Sequence, residues 1–423
     1  MRPDKVIIAP DSFKGALTSR EVTDIIAGEV TAAFPGCSVV KMPIADGGEG
    51  SVETILESMG GTLYEAQVIS PDDRQIHANY GIASDGTAII EVAQSSGITK
   101  QNGLHPMTSS TFGFGQLILA ALKQGAREFI LCIGGSATTD GGCGMAAALG
   151  VRFLNDKGET FIPCGGTLVD IESIDISRID ERIKDCKFTV MCDVDNPLFG
   201  ETGAAYIYGP QKGATSEQVI ALDEGLRHLG TFFMQNGSCQ ENCPGSRKNP
   251  WVCHSERSEE SLPLAAQHVK DPSVALLPQD DNCSTVTLRR ADDLANTPGA
   301  GAAGGLGAGC MAFLGANLVS GIDVILELCG FKKYITDADY VITGEGKLDS
   351  QSFSGKVLSG ILREAGRVPV LSICGVCDCD EELLRKYNLK VFEASEGISV
   401  GESMAYPEKY LRLAAKKAMT YIG

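Results

Sequence analysis

Six short segments rich in glycine and acidic residues follow the strand-like apolar runs of this chain. They read DSFKG, ADGGEG, GGSATTDGG, CDVDNP, PGAGAAGG and TGEGKLDSQSFSGK, and they begin at Asp11, Ala45, Gly134, Cys192, Pro298 and Thr343. In open α/β sheets, ligands bind beyond the carboxyl ends of the strands, where such loops collect. Glycine lets backbone N–H groups approach phosphate, and carboxylates bind metal ions or accept protons. The segments therefore favour a phosphate-handling enzyme over a scaffold protein.

The length and charge of the chain limit the classes of protein to which it can belong. Its 423 residues predict two domains, each large enough for a core of its own. The net charge of −18 argues against a nucleic-acid-binding protein, which would need a basic face. The sequence shows neither a signal-peptide-like start nor an apolar run long enough to cross a membrane. We therefore expect a cytoplasmic protein that does not bind membranes and whose cysteines are reduced thiols.

Both ends of the chain alternate between apolar strands and helices. Strands are predicted over residues 6–9 and 38–44, followed by helices over 17–34 and 51–59. The TSRE sequence has the spacing of a capping box at the start of the first helix. Three further strands, with helices between and after them, are predicted at the C-terminus over residues 340–343, 368–374 and 390–394. This order predicts parallel strand pairing.

The middle of the chain follows a different pattern. Strand-like runs at residues 62–70, 75–83 and 87–92 have little helix between them, which predicts an antiparallel meander. Helices over 114–124 and 144–149 then alternate with further strands, predicted over residues 129–133 and 188–192.

These patterns predict an α/β protein with two domains and a ligand cleft between them. Residues 1–70 and 296–423 are expected to form a doubly wound, Rossmann- or flavodoxin-like domain with a parallel sheet. Residues 71–295 are expected to form an inserted mixed α/β domain. The stretch 236–296 lacks a sustained period and includes the polar run CHSERSEES, which predicts a disordered insertion.

Cysteine spacing offers two candidate zinc sites. Within the insertion, Cys239, Cys243, Cys253 and His254 could bind a metal, but their spacings match no standard zinc pattern. The CGVCDC sequence that starts at Cys374 has the spacing of half a zinc site without a matching second half. Neither pattern favours zinc over ordinary reduced cysteines.

The chain does not have the full requirements of either of two familiar nucleotide-binding motifs. The nearest candidate for a Walker A loop, around Lys347, lacks both the hydroxyl residue and the upstream glycine. A GxGxxG pattern occurs at Gly299, Gly301 and Gly304, but it follows ADDLANTP rather than a strand, so the context of a dinucleotide-binding fold is missing. A glycine-rich loop that opens a helix can still bind phosphate oxygens through its N–H groups. We therefore assign nucleotide phosphate binding to these three glycines, and the remaining residues with that assignment are Gly134, Gly135, Ser136, Thr138 and Lys356.

Phosphoryl transfer needs a base for the acceptor's proton, a metal ion on the nucleotide phosphates and cations near the transferring group. Asp193 and Asp195 follow a predicted strand, and one could act as the base while the other binds metal. Glu345 and Asp349, after the run YVIT, are candidate Mg²⁺ ligands. Lys14 could pair with a substrate carboxylate or a phosphate. The remaining candidate substrate-binding residues are Ser12, Asp46, Glu49 and Asn196.

Taken in order, the six segments resemble those of the glycerate kinase family, the bacterial type that phosphorylates glycerate with ATP. The resemblance spans nearly the whole chain except residues 236–296, where the family has a shorter connection. It implies a two-domain α/β fold, D-glycerate as acceptor, ATP with Mg²⁺ as donor and 2-phosphoglycerate as product. It also implies that Asp193 is the base. Homo-oligomerisation is compatible with the sequence.

Two other classes of function explain part of the pattern. An NAD-dependent hydroxy-acid oxidoreductase would use the GxGxxG pattern, but it requires a preceding strand. A non-catalytic nucleotide sensor would explain the glycine-rich loops but not the acidic pairs at Asp193 and Asp195 and at Glu345 and Asp349.

Overall fold

The computed structural model of the protein describes residues 2–44, 50–235, 291–353 and 357–423. Its strands are β1 Lys5–Ile8, β2 Ser38–Lys41, β3 Gly61–Ile69, β4 Gln75–Ala83, β5 Ala88–Glu91, β6 Glu128–Cys132, β7 Arg152–Leu154, β8 Thr160–Phe161, β9 Ser173–Asp175, β10 Lys187–Met191, β11 Asn317–Val319, β12 Tyr340–Leu348, β13 Val370–Cys377 and β14 Lys390–Glu393.

The α-helices are α1 Ser19–Ala33, α2 Ser51–Met59, α3 Val92–Ser96, α4 Phe112–Lys123, α5 Cys143–Ala148, α6 Ala204–Tyr208, α7 Ser216–Gln235, α8 Ala291–Asn296, α9 Ala302–Leu314, α10 Gly321–Leu328, α11 Phe331–Tyr334, α12 Val357–Ala365, α13 Glu381–Lys386, α14 Val400–Ala405 and α15 Pro407–Ile422. Short 3₁₀ helices include Pro210–Lys212 between α6 and α7. None of these helices is long and apolar enough to span a membrane.

Strands from both ends of the chain form a five-stranded parallel sheet in the order β14-β13-β12-β1-β2. The predicted parallel sheet built from the two chain ends is therefore confirmed. The strand order reverses at the neighbouring pair β1 and β12, because β2 lies on one side of the pair and β13 and β14 on the other. Ligands of doubly wound folds bind at the carboxyl ends of the strands that flank such a reversal.

Helix α1 shows how the sequence specifies this sheet's outer layer. Its predicted capping box is present, since the Thr18 side chain accepts from Glu21 N and the Glu21 side chain accepts from Thr18 N. The buried face of α1 includes Val22 and Ile26, which share one core with Leu411 of α15 and with β1. The 3.6-residue spacing of the apolar positions therefore directs α1 onto the sheet.

A second sheet has six strands in the order β11-β10-β6-β5-β4-β3. The pairs β3–β4 and β4–β5 are antiparallel, so the predicted meander is confirmed. The remaining pairs, from β5 through β6 and β10 to β11, are parallel. A small antiparallel sheet of β8, β7 and β9 branches from the connection between β6 and β10.

Two strands lie in a different sheet from the one that the predicted domain boundaries imply. Strand β3 was assigned to the domain of the chain ends, but it pairs along its whole length with β4. Residues 317–319 were placed in the same domain without a predicted strand, but they form β11, which pairs with β10. Both pairings place the strands in the six-stranded sheet. The domain boundaries themselves stay a prediction.

One continuous apolar core connects the two large sheets. It contains Ile7 of β1, Ile89 of β5, Ile130 of β6, Ile325 of α10 and Ile361 of α12, all buried. Helices α2, α10 and α12 contribute to this core. The loops at the ends of both sheets are consequently held by shared packing.

Candidate active site

Lys14 follows β1 and Glu345 lies within β12, and these are the two strands at which the order of the five-stranded sheet reverses. The DSFKG segment after β1 runs beside β12, since Asp11 N donates to Gly344 O at 2.8 Å. A Cβ atom on Gly346 would lie 3.5 Å from Lys14 N, so the two segments are in close contact. Lys14 is exposed, and Ser12 N donates to Asp11 Oδ1 at 2.6 Å. The structure therefore brings two of the predicted site segments together.

Strand β12 is longer than the sequence predicts. It continues through Glu345 and Lys347 to Leu348, because this stretch pairs with β13 as far as Cys377. The expectation that Glu345 lies in a loop after the strand is therefore wrong. Glu345 is half-buried in the strand itself, and Asp349 is the first residue beyond it.

Asp193 lies at the N-terminus of α10. Its Oδ1 accepts hydrogen bonds from Gly321 N at 2.7 Å and from Ser320 Oγ at 3.1 Å. The partial positive charge of a helix N-terminus stabilises a carboxylate. Asp193 is exposed, as is Asp195 two residues later. The geometry presents an oriented carboxyl group at the carboxyl end of β10.

Asn196 holds the loop that follows these two aspartates. Its Nδ2 donates to Thr202 O at 2.8 Å, and its Oδ1 accepts from Tyr208 Oη at 2.6 Å. Its backbone O also accepts from Gly301 N at 2.9 Å. The side chain thus connects the CDVDNP segment to α6, and its predicted contact with substrate stays a prediction.

The GxGxxG pattern packs against two other candidate segments. Gly304 has a φ of +73°, and a Cβ atom there would overlap Thr138 O. A Cβ on Gly301 would overlap Pro197 O, and one on Gly299 would lie 2.8 Å from Cys192 Sγ. Close packing against backbone atoms or, at Gly299, against a side chain accounts for all three glycines, and their assignment to nucleotide binding stays a prediction. Helix α8 precedes the pattern. The expectation that no strand precedes it is therefore confirmed.

Asp140 stabilises the GGSATTDGG loop from inside the protein. Its carboxylate is fully buried and accepts from Thr111 N at 2.7 Å, Thr111 Oγ1 at 2.8 Å, Gly142 N at 3.1 Å and Gly144 N at 3.2 Å. Burial raises the pKa of Asp140, and the four hydrogen bonds oppose that rise. Through the N–H groups of Gly142 and Gly144, Asp140 binds the start of α5.

Lys212 lies beneath the same loop and was missed by the sequence reasoning. Its side chain is 2% exposed, and its Nζ donates to Ser136 Oγ at 3.1 Å and Thr138 O at 2.6 Å. Burial lowers the pKa of Lys212 to about 7, while the charge of Asp140 acts in the opposite direction. Ser136 and Thr138 are buried, whereas Gly134 is half-buried and Gly135 is exposed.

Glu91 is a second buried ionisable residue that sequence reasoning missed. It ends β5, is 1% exposed, and its Oε1 accepts from Val52 N at 2.7 Å. Burial raises the pKa of Glu91 to about 7, with a smaller contribution from Glu53. Val52 lies in the first turn of α2, so Glu91 connects the six-stranded sheet to the helix that follows ADGGEG. Asp46 and Glu49 of that segment, like Lys356, lie outside the described residues.

The three predicted Mg²⁺ ligands do not form a cluster of carboxylates. Within the part of the chain that the structure describes, no group of three or more His, Cys, Asp and Glu side chains could hold a metal ion. Asp349 Oδ1 accepts from Gln351 N at 3.0 Å, and its Oδ2 lies 3.8 Å from Lys347 Nζ. Mg²⁺ that binds with a nucleotide usually takes one or two protein carboxylates, with phosphate oxygens and water as its other ligands. Glu345 and Asp349 are both half-buried near the end of β12, and their assignment to Mg²⁺ stays a prediction.

The family model described as "Glycerate kinase family" matches residues 6–246 and 274–423 of this chain. The chain belongs to the glycerate kinase family. The resemblance carried by the six glycine-rich segments is thereby confirmed. The family model passes over residues 247–273, which lie within the stretch that the sequence predicts to be an insertion.

Several proteins of this family resemble the chain over most of its length. The glycerate kinase of Bacillus subtilis is 36% identical over 97% of this chain and 96% of its own. The glycerate 2-kinase of Escherichia coli is 37% identical over 91% of this chain and 88% of its own. A crystal structure of a Salmonella typhimurium LT2 protein assigned as glycerate kinase 2 has a TM-score of 0.74 and 31% identity, covering 99% of this chain and 97% of that one. The chain therefore shares its α/β fold with that crystal structure.

Proposed function

We propose that the protein transfers the γ-phosphoryl group of ATP to a hydroxyl group of D-glycerate and that the product is 2-phosphoglycerate. The observation that carries the proposal is the carboxylate of Asp193, held at the N-terminus of α10 in a chain that matches the glycerate kinase family almost from end to end. The name of the E. coli relative, glycerate 2-kinase, supports phosphorylation at C2.

In the proposed reaction, Asp193 accepts the proton of the glycerate hydroxyl as its oxygen attacks the γ-phosphorus. The bond between that phosphorus and the β–γ bridging oxygen breaks, and ADP leaves with the bonding electrons. The hydrogen bonds from Gly321 N and Ser320 Oγ keep the carboxylate oriented toward the carboxyl end of the sheet. Lys14 is the proposed cation for the glycerate carboxylate or the transferring phosphoryl group.

Glu345 and Asp349 are the proposed protein ligands of Mg²⁺, with Asp195 as a further candidate. When bound, Mg²⁺ neutralises charge on the nucleotide phosphates. We expect Glu345→Ala or Asp349→Ala to raise the Mg²⁺ concentration that gives half-maximal rate, because Mg²⁺ depends on carboxylate oxygens. The measurement is a Mg²⁺ titration of the initial rate for each variant, with Asp378→Ala as control because Asp378 pairs with Lys347 at 2.9 Å. A lower kcat with unchanged Mg²⁺ dependence would reassign the pair.

The function is tested with the purified full chain, D-glycerate, ATP and Mg²⁺. Enolase dehydrates 2-phosphoglycerate directly, so phosphoenolpyruvate should form without added phosphoglycerate mutase. A requirement for the mutase would indicate 3-phosphoglycerate instead, and an absence of ATP consumption would reject the kinase proposal. Reduction of NAD with glycerate, followed at the absorbance of NADH, would support the oxidoreductase alternative. Cytoplasmic location and homo-oligomerisation stay predictions from the sequence.

A further inference from the structure

In its charged form, the buried side chain of Lys212 has one hydrogen-bond donor more than its partners in the protein use. It ends the 3₁₀ helix Pro210–Lys212, and Gly213 after it has a φ of +90° and packs against Leu104. An ammonium group has three N–H donors. Two of them are used by Ser136 Oγ and Thr138 O, and the third has no acceptor among the residues that the structure describes.

The charge of Lys212 is also poorly compensated within the protein. Asp140 is the ionisable residue, among those described, whose charge acts on Lys212. However, the Asp140 carboxylate already accepts hydrogen bonds from Thr111, Gly142 and Gly144. A buried ammonium without a direct ion pair costs free energy, and a neutral amide could donate to Ser136 and Thr138 without that cost. A purely structural role would therefore not need a cation here.

The loop above Lys212 has unsatisfied polar groups of its own. Thr138 Oγ1 and Thr139 Oγ1 are buried and have no hydrogen-bond partner among the described residues. Such groups in a folded protein commonly mark the place of a water, an ion or a ligand. The exposed Gly135 and half-buried Gly134 open the same loop to solvent at the carboxyl end of β6. The loop thus has one accessible side, and the Lys212 side chain lies beneath it.

We propose that residues 134–138 form the binding loop for a phosphoryl group of the nucleotide and that Lys212 is the positioning residue that supplies its positive charge from below. The inference rests on the proposed kinase function, but it concerns nucleotide binding alone. Lys212 acts through its hydrogen bonds to Ser136 and Thr138, which orient the loop and transmit the field of the ammonium group to the bound phosphate.

This arrangement couples nucleotide binding to the protonation of Lys212, whereas a purely structural lysine would show no such coupling. Burial lowers the pKa of Lys212 to about 7, so the side chain is largely neutral in the free protein at about pH 8. A phosphate group close to the loop favours the charged form and raises that pKa. Nucleotide binding at about pH 8 should therefore take up a proton at Lys212.

The test compares the full-length wild type with Lys212→Met by isothermal titration calorimetry at about pH 8. Titration of ADP in buffers with different ionisation enthalpies reports the protons taken up on binding. We expect the Kd of ADP to rise about 10- to 100-fold in the variant, the range for loss of a hydrogen-bonded charge. The Kd of adenosine should change little, and the proton uptake of the wild type should disappear.

Two further variants separate charge from structure. Lys184→Met removes an exposed lysine in the 3₁₀ helix Glu181–Asp185 and should change neither affinity nor proton uptake. Ser136→Ala removes one partner of Lys212 but keeps its charge, so proton uptake should persist with a smaller loss of ADP affinity. If Lys212→Met fails to fold, the wild type and Ser136→Ala still decide whether ADP binding is coupled to a proton.

The outcomes also separate this inference from the kinase function. Proton-coupled ADP binding that is lost in Lys212→Met would support the loop assignment even if glycerate were not phosphorylated. Equal losses of ADP and adenosine affinity would overturn the inference, because they indicate a general disturbance of the fold. A rise confined to the KM of glycerate would also overturn it and assign the charge to the acceptor's carboxylate. An absence of ADP binding by the wild type would overturn it as well.

Discussion

At the scale of single residues, Asp193 combines a reactive group with a fixed orientation. Asp193→Asn keeps a side-chain oxygen for Gly321 N–H but removes the proton acceptor. We expect kcat to fall by about 10²- to 10⁴-fold, the usual contribution of a general base, with unchanged ADP affinity. Steady-state kinetics and calorimetry measure the two quantities. Ser320→Ala, which removes only the weaker hydrogen bond at 3.1 Å, is the control and should have a small effect. A near-normal kcat in Asp193→Asn would reject its role as base.

Glu91 makes the stability of the protein depend on pH. Its pKa of about 7 in the folded protein lies above the value of 4.5 for an ordinary glutamate. Protonation of Glu91 therefore stabilises the folded state fully below about pH 4.5, and this stabilisation is lost as the pH rises through about 7. The shift corresponds to roughly 3 kcal/mol at most. Glu91→Gln keeps an acceptor for Val52 N–H and cannot ionise. We therefore expect the free energy of unfolding of the wild type to fall by up to about 3 kcal/mol, relative to that of the variant, between about pH 5 and pH 8.

Denaturant unfolding of wild type and Glu91→Gln at both pH values measures this difference. Glu201→Gln, at an exposed glutamate, is the matched control and should leave the pH dependence unchanged. Parallel pH dependence in wild type and Glu91→Gln would show that Glu91 does not titrate in this range.

The sequence could identify some of these residues and not others. Asp193 was recognisable because it follows an apolar strand in the Asp-x-Asp pattern of CDVDNP. Lys212 lies in GPQKG, which reads as a turn, and Glu91 follows the run AII like many polar residues at strand ends. What distinguishes the last two residues is burial, which arises from contacts with segments distant in sequence. Composition and spacing do not contain that information.

At the scale of elements, Gly304 shows how two candidate loops depend on each other. Its φ of +73° disfavours an L side chain, and a Cβ atom there would overlap Thr138 O. We expect Gly304→Ala to lower the free energy of unfolding by about 1–3 kcal/mol and to raise the KM of ATP, because the loop at residues 134–138 must shift. Gly36→Ala is the matched control. Its φ is +96° with nothing within 4 Å of the added Cβ, so it should reduce stability without changing the KM.

Both effects are measured by denaturant unfolding and steady-state kinetics. Equal changes in KM for the two glycine variants would argue that contact between the loops does not shape the nucleotide site.

Local sequence specified most elements but not the length of β12. The capping box of α1 and the apolar run YVIT were sufficient to predict the helix start and the beginning of the strand. The following GEGK stretch contains two glycines, which weaken a strand, and it was therefore expected to be a loop. Pairing with β13 keeps it extended to Leu348, so a neighbouring strand overrides the local preference.

At the scale of the whole molecule, the alternation of strands and helices predicted the parallel sheet of the chain ends. It did not predict β11 or its pairing with β10, because pairing between strands distant in sequence is a tertiary property. The shared core of α2, α10 and α12 further couples the sheets. The side chain of Asp193 accepts from the first residue of α10, whose Ile322 packs against Gly360 of α12. Packing of α10 and α12 therefore positions both the proposed base and the helix that follows TGEGKLDSQSFSGK.

The last prediction concerns the insertion predicted over residues 236–296. Residues 236–290 lie outside the described residues, whereas residues 291–296 form α8, so the prediction of disorder is wrong for those six residues. Helix α7 ends at Gln235 and α8 begins at Ala291, and the candidate loops that the structure describes all lie outside the stretch between them. The family model also omits residues 247–273. Loop-closure free energy grows by only about 0.6 kcal/mol per doubling of length, so the rest of the fold should tolerate replacement of residues 237–289 by a short Gly/Ser linker.

We expect this deletion variant to keep kinase activity within a few-fold of wild type and to resist proteolysis better, because a polar, aperiodic stretch buries too little apolar surface to offset the entropy of ordering it. Steady-state kinetics and limited proteolysis of the two purified proteins measure this. A linker of the same composition but twice the length is the control for strain at the junction. Loss of soluble expression or a large fall in kcat with both linkers would mean that the stretch contributes to the fold or to the site.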